Sequence, residues 1–291
     1  MKPFRVAQVA AARATTDIDD GVIRLFTRAF SEDLHEWLAI GVPFSFDTLA
    51  VTTRLAEPRA RDRLRDFLLE VDLPDDGVLC DALDQLPDRP VEVSLTAGRA
   101  SACLEVRARF AGHWTRRGVY EALPGLGVSR DATRAWDRAV GAARGGNVLT
   151  LAVAVGEEGP RLEVEIEQRF DRAEAGDRAA QLGFLGEHLG IAEPGRLARI
   201  AGRPWDREPN VTSWTVVVGL DRVLPALRVT VPCVPASVVL ALMGELGASD
   251  GYGRRLGAIA AALRVEDDVV WRLHIDAGTD RLRGSVEILA L

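Results

Sequence analysis

Residues 149–167 read LTLAVAVGEEGPRLEVEIE. Leu149, Leu151, Val153 and Val155 alternate with smaller or polar residues, the chain turns through Gly156 to Pro160, and Leu162, Val164 and Ile166 resume the alternation. A period of two puts one residue set on each face of a strand, so this stretch predicts an antiparallel hairpin with one apolar face. The pattern recurs on both sides. Val91, Val93 and Leu95 precede a turn at Gly98, followed by Ala102, Leu104, Val106, Ala108 and Phe110. Trp214, Val216 and Val218 precede Leu227, Val229 and Val231. Val269, Trp271, Leu273 and Ile275 precede a run from Leu282 to Leu291. The hairpins begin near residues 91, 148, 212 and 268, a spacing of about 60 residues. One spacing earlier, His35–Val42 and Thr48–Leu55 supply a fifth hairpin.

Helical patterns fill the intervals. Ser129 is placed to cap a helix that carries Trp136 and stops at Gly145 and Gly146, and Pro235 suits the first turn of a helix running through Leu242. Others are expected over residues 17–33, 58–71, 77–86, 115–123, 172–189, 195–202 and 252–264. No linker or composition break divides the chain, so residues 1–291 are expected to form one α+β domain of about five α-β-β-α repeats.

Helices cover a sheet by burying its apolar face, which leaves the opposite face to be read by parity. It carries Glu92, Ser94 and Thr96, then Glu105, Arg107 and Arg109, then Thr150, then Glu163, Glu165 and Glu167. Further along come Arg228 and Thr230, then Arg272, His274 and Asp276, then Arg283, Ser285 and Glu287. Two architectures accommodate a polar face on nearly every strand. In one, ten antiparallel strands close into a barrel with helices outside and a polar lumen wide enough for a ligand and water. In the other, the sheet stays open and the polar face meets solvent or a partner. Closure is the expectation, because it removes two unpaired edges.

Composition narrows the function. The net charge of −7 disfavours a phosphate-backbone partner, so no nucleic acid is expected. No run of apolar residues is long enough for a membrane helix and no signal peptide opens the chain, which predicts no membrane association and a cytoplasmic location. Cys80, Cys103 and Cys233 share no metal or disulfide spacing and read as buried thiols. His35, His113 and His188 share no ligand spacing, and no phosphate-binding loop, dinucleotide fingerprint or nucleophile elbow is present. No metal ligand is assigned.

Five α-β-β-α units closing a ten-stranded barrel resemble the ABBA prenyltransferases, the PT-barrel family. The local stretch Leu227-Arg228-Val229-Thr230-Val231-Pro232-Cys233-Val234-Pro235 is similar to the second strand of the family's fourth unit, where a basic residue points into the barrel at the diphosphate. The resemblance covers roughly residues 17–291. It implies transfer of an allylic prenyl group from a prenyl diphosphate to an electron-rich aromatic acceptor in secondary metabolism. Arg107, Arg228, Arg272 and Arg283 would surround the departing diphosphate, with Arg54 and Arg109 beside them. Glu105, Glu287 or His274 would accept the proton or stabilise the cation. The absence of a DDxxD motif suits the family, so no cofactor is required, although Mg²⁺ on the row Glu163, Glu165 and Glu167 is one way to offset its charge. Pairing of that row with inward arginines is the other.

The only lysine is Lys2, and the only tyrosines, Tyr120 and Tyr252, lie in helical segments. Two readings therefore stand beside the enzyme: a non-catalytic small-molecule binding protein using the same chamber, and an assembly module with an open sheet.

Overall fold

The computed structural model describes residues 4–14, 16, 18, 20–55, 58–74, 76–86, 90–98, 104–142, 147–168, 175–205, 212–265 and 269–290. Cys103 and Gly145–Gly146 lie outside the described residues, as do the side chains of His113, Leu149, Trp205 and Trp271.

The ten strands are β1 (Leu38–Pro43), β2 (Thr48–Leu55), β3 (Val91–Gly98), β4 (Leu104–Trp114), β5 (Val148–Gly156), β6 (Arg161–Gln168), β7 (Thr212–Gly219), β8 (Val223–Pro235), β9 (Val269–Ala277) and β10 (Leu282–Ala290). Each pairs antiparallel with its sequence neighbour, and β1 pairs with β10 from Leu38↔Ala290 to Pro43↔Ser285, so the sheet closes on itself. The open-sheet alternative is thereby excluded. The strand ends joined within hairpins lie at one rim of the barrel, and the strand ends from which the chain enters or leaves a helix pair lie at the other.

The helices are α1 (Phe4–Ala14), α2 (Asp20–Ala29), α3 (Ser31–Glu36), α4 (Pro58–Val71), α5 (Asp76–Gln85), α6 (Arg116–Ala122), α7 (Arg130–Ala142), α8 (Ala175–Leu189), α9 (Pro194–Trp205), α10 (Ala236–Leu242) and α11 (Tyr252–Ala262). A helix pair thus separates each hairpin from the next. Ser129 accepts from the Ala132 amide at 3.2 Å and caps α7 as its position predicts. Thr115 does the same for α6 through the Gly118 amide at 2.9 Å.

The core is the shell between barrel and helices. Val93, Leu95, Val106, Phe110, Leu151, Val153, Leu162, Val164, Ile166, Val216, Val229 and Leu273 are all fully buried on the outer barrel face. Burial of each such side chain stabilises by roughly 1.5–3 kcal/mol, which makes the parity of every strand an energetic matter.

Three expectations need correction. The helix expected over residues 17–33 is two helices, α2 and α3, divided at Phe30, whose backbone leaves the helical region at φ −114° and ψ 25°. That bend seats the Phe30 ring between Phe26 and Phe67, 4.8 and 5.7 Å away by centroid. The first hairpin starts at Leu38 because His35 and Glu36 belong to α3. Cys233 is exposed, with φ 52°, and Cys80 is half-buried. The left-handed backbone at Cys233 breaks the two-residue parity of β8, so its side chain leaves the face that alternation assigned to it. Helix α1 was not anticipated at all.

Candidate active site in the barrel lumen

The inward residues sort by size as well as polarity. Strands β1, β5 and β7 present small side chains, among them Gly41, Ala152, Ala154 and Thr215; β2 and β3 mix the small Thr52 and Ser94 with Arg54 and Glu92; and β4, β6, β8, β9 and β10 present long charged ones. Register explains how the long ones meet. Ala154 of β5 lies opposite Arg107 on one side and Arg161 on the other, and Ala152 lies between Arg109 and Glu163. Side chains of β4 and β6 therefore reach each other across β5, over methyl groups that do not obstruct them.

A network of ion pairs results. Arg107 donates to Glu163 at 3.0 Å. Arg109 donates to Glu92 at 3.1 Å, to Thr150 at 3.1 Å and to Glu165. Glu165 also accepts from Ser213 at 2.6 Å and from Thr150 at 2.9 Å. Arg161 pairs with Glu105 and approaches Glu163 at 3.5 Å. Arg228 donates to Asp276 at 2.6 Å and approaches Glu163 at 3.7 Å. Arg272 donates to Glu287 at 3.2 Å, and His274 Nε2 lies 3.5 Å from the same carboxylate while its Nδ1 meets Thr230 Oγ1 at 2.9 Å.

These pairs tune one another. Burial would raise the carboxyl groups of Glu163, Glu165 and Glu287, yet all three are held below the ordinary carboxylate range. Arg107, Arg228 and Arg161 depress Glu163; Arg109 and the Ser213 hydroxyl bring Glu165 to about 2; the His274 hydrogen bond and Arg272 bring Glu287 to about 2. For Arg228, burial alone would lower its affinity for the proton, but Asp276 and Glu163 reverse the sign and hold it above its ordinary value. Burial, with help from Arg228, lowers His274, which keeps the ring neutral near pH 7 against the pull of Glu287.

The space these side chains border amounts to about 540 Å³, counting the part that opens to solvent. Its lining contains four arginines, four glutamates and His274, together with threonines, Ser94 and Ala152. Of the sequence candidates, Arg107, Arg228, Arg272, His274 and Glu287 line it, and so does Arg109. Glu105 pairs with Arg161 outside that lining. Arg54, half-exposed, stacks 4.6 Å above the Trp37 ring and donates to Glu92 at 2.9 Å. Arg283 is exposed and donates to Asp280 of the neighbouring turn, so it does not join the group. Arg161 is the inward residue that strand parity could have supplied, since it stands two before Glu163; its place beside Pro160 made it read as turn. Among the described residues, no group of three His, Cys, Asp or Glu side chains is arranged to hold a metal ion, and the carboxylates of Glu163 and Glu165 face guanidinium groups instead.

No protein-family model and no curated protein matches the sequence. Solved structures do match, over nearly the whole chain. A 6-dimethylallyl tryptophan synthase superimposes with a TM-score of 0.71 at 16% identity, covering 98% of this chain and 95% of its own. The chain has the PT-barrel fold. A second PT barrel, the NotF prenyltransferase, gives a TM-score of 0.69 at 12% identity over 97% of this chain and 92% of its own. A third, 6-dimethylallyltryptophan synthase from Micromonospora olivasterospora in complex with DMASPP and Trp, gives 0.67 at 18% identity over 98% of this chain and 95% of its own. Among the described residues, no helix of this PT barrel is long and apolar enough to cross a membrane.

Proposed function

We propose that this chain is an aromatic prenyltransferase of secondary metabolism, acting in the cytoplasm on a prenyl diphosphate and an electron-rich aromatic acceptor. The observation that carries the reading is a closed ten-stranded PT barrel whose lumen gathers Arg107, Arg109, Arg228 and Arg272. The structural neighbours add support, since two of them are described in complex with DMASPP and Trp, or with brevianamide F and DMSPP. In the proposed reaction the donor's C–O bond breaks, its electron pair leaves on the diphosphate, and the acceptor's aromatic carbon attacks the allylic cation. Guanidinium groups fixed in the lumen stabilise the leaving charge without reorganising at the moment of ionisation. The arenium proton then passes to a base within the lumen. His274 is neutral and Glu287 is ionised near pH 7, so either can accept it. No metal is assigned a part.

Dimethylallyl diphosphate at saturation should raise the Tm by on the order of 5 °C. Arg107→Ala or Arg228→Ala should abolish the shift, and mass spectrometry should detect a prenylated product from a panel of indoles and phenols. Absence of any shift with donors of several chain lengths would remove the proposal.

A second reading has its own support. Among the described residues, the lining balances four arginines against four glutamates and contains no Phe, Tyr or Trp, which suits a small polar or zwitterionic guest bound without chemistry. Native mass spectrometry of freshly purified protein that carries such a molecule, with no turnover of any donor, would favour it.

A further inference from the structure

Three guanidinium groups from three strands converge on one carboxylate. Arg107 Nη1 of β4 lies 3.0 Å from Glu163 Oε2, Arg161 Nε of β6 lies 3.5 Å from Oε1, and Arg228 Nη1 of β8 lies 3.7 Å from Oε2. Two of the three have a further acid, Glu105 for Arg161 and Asp276 for Arg228. These six groups sum to zero charge, and without Glu163 they would sum to +1. Each guanidinium offers five N–H donors in a planar fork, far more than the two oxygens of a single carboxylate can accept. The donor set is thus larger than its present occupant. Glu163 lies between Ala152 of β5 and Val217 of β7, so neither strand neighbour offers it a polar partner that would hold it in place.

We propose that Arg107, Arg161 and Arg228 form a nest for a diphosphate or phosphate-ester anion, and that Glu163 is a tethered occupant which the anion must displace. The proposal rests on the reading of this chain as a diphosphate-dependent enzyme, and adds that its anion site is held shut from within. Because the carboxylate is attached to β6, it competes at a high effective concentration that no dissociation can dilute. Only an anion of greater charge, with more oxygens to share among three forks, recovers what is lost when Glu163 leaves. Protonation offers no other route, since the three arginines keep this acid ionised far below physiological pH.

Calorimetric titration with inorganic pyrophosphate at low salt tests the nest directly. Glu163→Gln should bind pyrophosphate at least tenfold more tightly than the wild type, and adding Arg107→Gln should cancel that gain. Inorganic phosphate should gain less than pyrophosphate. If Glu163→Gln is folded by circular dichroism and binds pyrophosphate no better than wild type, the proposal is wrong. Should that variant not fold, Glu163→Asp carries the test, because it keeps the charge and withdraws it by one methylene. A gain of threefold or more then supports the nest, and no gain overturns it. The enzyme reading fails separately: a pyrophosphate gain without any binding of dimethylallyl diphosphate keeps the nest and discards prenyl transfer. Prenyl transfer by the wild type without a pyrophosphate gain does the reverse.

Discussion

His274 shows how a single residue reports its surroundings. Arg272 and Asp276 flank it on β9, Arg228 and Thr230 face it from β8, and Ser285 and Glu287 face it from β10. Burial and Arg228 lower its proton affinity, and Glu287 and Asp276 oppose them without prevailing. In the unfolded chain an ordinary histidine protonates near pH 6.5, whereas the folded site resists the proton. Below that pH the unfolded state binds more protons than the folded state, so stability is full above about 6.5 and is lost as pH falls toward the depressed folded value. Wild type should therefore lose Tm relative to His274→Gln between pH 7.5 and 5.5. A constant difference across that range, measured by thermal melts of both proteins, would contradict the assignment. The polarity of this position was legible from alternation alone. Its partners were not, because pairing with Thr230 and Glu287 depends on register between strands that sequence does not state.

At the level of the strand, alternation carried most of the information. The inward placement of Arg107, Arg228, Arg272 and Glu287 followed from counting by two along β4, β8, β9 and β10. Counting failed where the backbone departs from the strand conformation, at Cys233, and at the exposed start of β10, where Arg283 turns to Asp280 instead of joining the lumen; Arg161 needed only the count along β6 to begin two residues earlier. Helix α1 was missed for a different reason: its sequence favours a helix, but it precedes the first α-β-β-α unit, and counting outward from the hairpins does not reach it. The small residues of β5 were read as mere alternation, yet they set the width across which β4 and β6 join. Gly156 marks the limit of that approach. A Cβ placed there would stand 2.6 Å from the Leu104 carbonyl oxygen on β4, so Gly156→Ala must push backbone aside. We expect a loss of about 1–3 kcal/mol in urea denaturation. Gly195→Ala on α9, where a Cβ meets nothing within 4 Å, should instead stabilise by about 0.4–1 kcal/mol.

The whole molecule is governed by closure. Ten strands that each pair on both sides leave no free edge, and the seam between β1 and β10 joins the first hairpin to the last. Ile288 lies opposite Ile40 at that seam and is 4% exposed. Ile288→Ala should cost about 2–5 kcal/mol and raise hydrogen exchange in β1 as well as β10. Urea should still produce one transition, because loosening the seam weakens the ring as a unit; two separate transitions would show that the repeats fold independently. The sorting of connections between the two rims has a further consequence. Turns at the hairpin rim meet the junctions within the helix pairs, where the carbonyls of Leu220, Gly278 and Phe44 accept from the amides of Ser129, Ala192 and Ser249. These turns button the barrel to its coat of helices, so a new clientele of guests has to come from changed inward side chains rather than from rebuilt loops.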